Sequence, residues 1–153
     1  MKKIKSINLF IIFFFIIGCG YYPIYKDLND INFSIRINEL SGERKINNFI
    51  KSKLSNYKSE EAIIQYDINI KTKYEKNIIA KNTTGDATEY KLIVNTSFNV
   101  NSENINREFI FKESFNMKSI NDKLEEQDYE ENIQSNLVDV IIKKFILRLS
   151  QIK

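Results

Sequence analysis

From Thr88 to Val100 the chain alternates so regularly that only one backbone suits it. Thr88, Tyr90, Leu92, Val94, Thr96, Phe98 and Val100 share one side, against Glu89, Lys91, Asn95, Ser97 and Asn99 on the other. A period of two fits a pleated strand and not a helix, whose period is 3.6. The same alternation runs from Ala62 to Tyr74, with Ile64, Tyr66, Ile68, Ile70, Thr72 and Tyr74 facing one way. Ile31, Phe33, Ile35 and Ile37 make an earlier half-buried strand. Asn101-Ser102-Glu103-Asn104 is turn chemistry. Ile105 to Met117 then reads as a return strand, with Phe109, Phe111, Phe115 and Met117 on its apolar side.

Two stretches switch to helical spacing. Ser41 offers an N-cap, after which Ile46, Phe49, Ile50, Leu54 and Tyr57 recur on one face. Near the C-terminus, Asp122 and Glu125 suit a capping box. Tyr129, Ile133, Leu137, Val140, Ile141, Phe145 and Leu149 follow as an apolar stripe. Acidic residues crowd the start of this helix and Lys143, Lys144 and Arg148 its end, which complements the helix dipole. The order β-α-β-β-β-α predicts an α+β fold: a two-layer sandwich, mainly antiparallel, with two helices on one sheet face. The other face is polar apart from Ile63, Ile93 and Ile110. Scattered apolar residues of this kind are ordinary on a surface, but a favourable register would gather them into a partner-facing patch.

Ahead of this domain the composition changes. Lys2, Lys3 and Lys5 precede an unbroken apolar run from Leu9 to Ile17, too short for a membrane span and suited to a signal peptide. Ile16-Ile17-Gly18-Cys19 resembles a bacterial lipobox. In that class the leader is cut after the small residue, here Gly18. The thiolate of the cysteine, here Cys19, accepts a diacylglycerol, and the new amine is acylated. Each buried methylene contributes roughly 0.8 kcal/mol, so several acyl chains anchor the protein durably. Residues 1–18 are thus expected to be a lipoprotein signal peptide, 19–30 a lipidated tether and 31–153 one domain. Gly20 after the cysteine, where an aspartate would retain lipoproteins at the inner membrane, implies sorting to the outer membrane.

The leader also accounts for the apparent basicity. Of 23 Lys and Arg against 20 Asp and Glu, three lysines lie in the leader, which leaves 20 against 20. A neutral body without a dense basic cluster argues against nucleic-acid binding. Chemistry is constrained as well. There is no histidine and only one cysteine, so the commonest general base, thiolate zinc sites and a free Cys nucleophile are all missing. Glu60-Glu61 and Glu125-Glu126 are adjacent pairs whose side chains diverge. Gly42 and Gly85 are isolated, so no phosphate-cradling loop is present. No enzyme, metal or cofactor is expected beyond the covalent lipid on Cys19.

Cys19-Gly20-Tyr21-Tyr22-Pro23-Ile24-Tyr25, the element order, and Gly85-Asp86-Ala87-Thr88-Glu89-Tyr90-Lys91-Leu92 together resemble the LptE family of lipopolysaccharide-assembly lipoproteins. The resemblance implies a non-enzymatic subunit of the outer-membrane lipopolysaccharide translocon. It would plug an LptD-type β-barrel, help it assemble and assist glycolipid delivery. Where the family often carries a basic residue after Ala-Thr, this chain has Glu89. Lys76, Lys81 and Lys91 are the nearby candidates for contact with glycolipid phosphates, set against their being ordinary solvated lysines. A competing reading is an auxiliary lipoprotein of a phospholipid-transport ABC system, or another lipid-anchored binding module.

Overall fold

The computed structural model describes residues 33–58, 62–102 and 105–152. Its elements are β1 (Phe33–Gly42), α1 (Arg44–Leu54), a 3-10 turn (Ser55–Tyr57), β2 (Ile64–Lys81), β3 (Ala87–Ser102), β4 (Ile105–Lys118) and α2 (Lys123–Ser150). The four strands form one sheet in the order β1-β2-β3-β4. β2, β3 and β4 are an antiparallel meander, whereas β1 runs parallel to β2. Parallel neighbours cannot be joined by a tight turn, and α1 supplies the crossover between them. The α+β sandwich expected from the periodicity is the observed architecture.

Both helices lie on one sheet face, α1 over β1 and β2, α2 over β3 and β4, and they pack against each other. Dimensions match: the 14 residues of β4 span about 46 Å and the 28 of α2 about 42 Å, so each crosses the sheet once. The buried face carries Ile68, Ile70, Leu92, Val94, Phe98 and Val100, met by Ile46, Ile50 and Leu54 of α1 and by Val138, Ile141 and Phe145 of α2. Phe145 stacks on Phe98 at a ring-centroid distance of 4.1 Å, with Phe109 and Phe111 edge-on around it. Each such fully buried side chain contributes about 1.5–3 kcal/mol.

Several local expectations are corrected. Ser41 does not cap α1; it is the penultimate residue of β1, and its hydroxyl donates to the Ile70 carbonyl. The N-cap is Glu43, with no side-chain cap of its own. Thr72 of β2 substitutes: its buried hydroxyl accepts from the Glu43 amide at 3.0 Å and donates to Asn47 Oδ1 at 2.7 Å. At α2, the Asp122 carboxylate accepts from the Leu124 and Glu125 amides as a cap should. The reach-back, however, comes from Glu126, whose Oε2 accepts from the Ile120 amide and the Ser119 hydroxyl. The α2 stripe is also rotated: Tyr129 and Val140 are each 39% exposed, while Glu126, Gln134, Val138 and Ile142 turn inward. β2 continues seven residues beyond Tyr74, to Lys81, with an irregularity at Ile79.

Candidate functional site

The parity of β2 continues past Tyr74, so Lys76 lies on the α2 side of the sheet, reaching two carboxylates of that helix while staying partly open to solvent. It pairs across the sheet with Leu92, which is buried. Its Nζ lies 2.7 Å from Glu130 Oε2 and 3.4 Å from Glu126 Oε1, and 4.2 Å above the Tyr90 ring. Tyr74 donates its hydroxyl to Glu130 Oε1 at 2.6 Å, and Gln134 Nε2 donates to the same oxygen at 3.3 Å. One layer of the helix–sheet interface is therefore polar, built from β2 on one side and the first turns of α2 on the other.

The electrostatics fit this placement. Burial alone would raise the Glu126 carboxyl, but the Ile120 amide, the Ser119 hydroxyl and the charge of Lys76 outweigh it and hold it below its usual range. Burial works against the Lys76 charge, yet the Glu130 hydrogen bond and the fields of both carboxylates leave its pKa raised. Burial first, then the bond to Glu130, pushes the Tyr74 phenol well above its ordinary value. Lys76 and Glu126 thus keep their charges at neutral pH, and the cluster fastens α2 to the hairpin. Periodicity could have found it, since Lys76 continues the even-numbered row and Glu126 and Glu130 are one turn apart on α2.

The three candidate lysines are not brought together. Lys76 lies on the helix side of the sheet, and Lys91, opposite Asn77, is exposed on the outer face. Lys81 pairs with Ala87 at the tip of the β2–β3 hairpin. That tip is closed by Asn82, whose Oδ1 accepts from the Thr84 and Asp86 amides, and by Gly85 at φ +93°. The three isoleucines are not gathered either. Ile93, between Glu75 and Ser114, is only 7% exposed, whereas Ile110, opposite Ser97, is 70% exposed and Ile63, before β2, is 83% exposed. Gly18 and Cys19 lie outside the described residues.

A cleft of about 540 Å³ opens at the other end of the sheet from the hairpin tip, lined among others by Ile63, Ile64, Asn101, Ile105 and Ile152. On its wall Arg36 donates two hydrogen bonds, of 2.7 and 2.8 Å, to the Asp67 carboxylate. The bond to Arg36 holds Asp67 below the usual carboxylate range. The pair joins β1 to β2 on the outer face, where it was not foreseen. Among the described residues no cluster of metal-ligating side chains occurs, and no helix is long and apolar enough to cross a membrane.

No protein-family model and no curated protein matches the sequence. Among solved structures, rare lipoprotein B from Shewanella oneidensis superposes with a TM-score of 0.53 at 15% identity, covering 77% of this chain and 96% of that one. A minor lipoprotein from Acinetobacter baumannii gives 0.48 at 11% identity, covering 74% and 90%. A lipoprotein B from Nitrosomonas europaea gives 0.47 at 14% identity, covering 83% and 93%. The first of these likenesses establishes a shared fold.

Proposed function

We propose that this chain is a lipid-anchored, non-enzymatic subunit of the outer-membrane machinery that assembles lipopolysaccharide, where it plugs and helps assemble an LptD-type barrel. One conjunction carries the reading: the lipobox pattern Ile16-Ile17-Gly18-Cys19 stands directly ahead of a β-α-β-β-β-α domain whose fold is shared with rare lipoprotein B. Cys19 would hold the diacylglycerol and N-acyl chains, and the domain would act by docking. The charged groups that the fold brings together, Lys76, Glu126 and Glu130, are engaged in holding α2 and are assigned no chemistry.

Affinity purification in mild detergent from an outer-membrane fraction tests the reading. Co-recovery of a large β-barrel protein is expected. Recovery without one refutes the plug role, and recovery with a transport ATPase would favour the phospholipid-transport alternative. For the anchor, the intact mass of a Cys19→Ser variant should lack the acyl increment found in the parent.

A further inference from the structure

β4 is an edge strand: β3 is its only sheet neighbour among the described residues, so one side of its backbone presents unpaired N–H and C=O groups. Proteins usually protect such edges with charges, bulges or short strands. Here β4 runs 14 residues without a register shift against β3, and Ile110, near its middle, is 70% exposed.

We infer that this edge is the contact surface for a second copy of the chain, paired antiparallel about a two-fold axis through Ile110. The sequence of β4 is self-complementary about that residue. Ile110 would meet Ile110 of the second copy on the outer face, and Glu108 would meet Lys112 of the second copy, twice by symmetry. On the helix-facing side Phe109 would meet Phe111, and Arg107 would meet Glu113, all cross-strand pairs of the stabilising kind. Arg107 and Glu108 have no hydrogen bond or ion pair among the described residues, so both are available.

The register is specific. Side-chain faces are preserved only if the pairing shifts by an even step. Moving the axis to Phe109 sets Glu108 against Ile110 and Arg107 against Phe111. Moving it to Phe111 sets Lys112 against Ile110 and Glu113 against Phe109. Axes at Glu108 or Lys112 oppose like charges. Only the Ile110 axis matches charge with charge and apolar with apolar.

The helix layer extends the contact. α2 lies over β3 and β4, and Lys144 reaches Glu113 from that helix. Val140 and Leu147, four residues before and three after Lys144, share its flank and are 39% and 52% exposed. A continuous eight-stranded sheet would set the two α2 helices side by side, with these residues between them.

Sedimentation velocity of the full chain in mild detergent, over a concentration series, tests this inference, which does not depend on the barrel reading. A dimer is expected. Lys112→Glu should weaken association about tenfold by setting like charges opposite Glu108. The double variant Glu108→Lys with Lys112→Glu should restore it. All these positions are exposed, and circular dichroism checks that the fold persists. In a Cys19→Ser background, Ile110→Cys should form a reducible dimer, while Asn116→Cys, roughly 40 Å from its symmetry mate, should not. A monomer at every concentration, a dimer indifferent to Lys112→Glu, or a double variant that fails to restore association overturns the inference.

Discussion

Gly42 and Thr72 meet backbone to backbone: a Cβ on Gly42 would lie well inside van der Waals contact with the Thr72 carbonyl oxygen. Gly42 also has φ +95°, which L side chains rarely adopt. The same Thr72 caps α1, so this point fixes where β1 stops and the crossover begins. Gly42→Ala should therefore cost roughly 3 kcal/mol, combining left-handed strain with overpacking. Gly85 has nearly the same φ, +93°, but nothing within 4 Å of a Cβ, so Gly85→Ala should cost only about 1–2 kcal/mol. Urea midpoints at constant m-value measure both.

The cluster under α2 predicts the pH profile. Glu126 has its folded pKa depressed, so its contribution is complete above the unfolded carboxyl value of about 4.3 and is lost as pH falls through the folded value. Lys76 is shifted upward, so its contribution is complete below about 10.4 and lost only as pH rises through the folded value. Melting temperature should be nearly flat between these limits, since no histidine titrates there. Glu126→Gln should lower stability at pH 7 and flatten the acid arm. An acid arm as steep as the parent's would show that Glu126 is not its source.

Phe145 of α2 touches three aromatic rings. Phe145→Ala should cost about 3–5 kcal/mol, because the surrounding β-sheet cannot collapse into the space left. Combining it with Phe98→Ala should cost less than the sum of the two, since the stacked pair is lost only once. Chemical denaturation of the three variants gives the coupling.

Two lysines remain candidates for anionic glycolipid, and the third, Lys76, is engaged with Glu126 and Glu130. Lys81→Glu with Lys91→Glu should lower binding of isolated lipopolysaccharide by the purified protein, with unfolding midpoints unchanged. Lys76→Met should instead lower stability by about 1–2 kcal/mol, because Glu130 loses its cation and Glu126 keeps only the more distant Lys123. Unchanged glycolipid binding in the double charge reversal would remove Lys81 and Lys91 from consideration.

The alternation from Ile64 to Tyr74 and from Thr88 to Val100 is enough to assign the faces of those parts of β2 and β3, because burial of one face imposes a period of two. Parallel pairing of β1 was not legible. Its alternation would look the same beside any neighbour, and only the α1 crossover fixes its direction. The end of β2 was hidden by Ile78-Ile79, where a register irregularity breaks the pattern. The stripe of α2 was misphased because Tyr129 and Val140 were assigned to the core by their apolarity, while Glu126 and Gln134 were left outside by their polarity.

The sheet has two unlike ends. Phe33, Ile64, Ser102, Ile105 and Ile152 lie at one, and the Asn82–Asp86 turn lies at the other. β2 alone, at 18 residues, separates them by roughly 56 Å. The hairpin tip, braced by Asn82, therefore stands a full strand length away from Phe33, where the described domain begins.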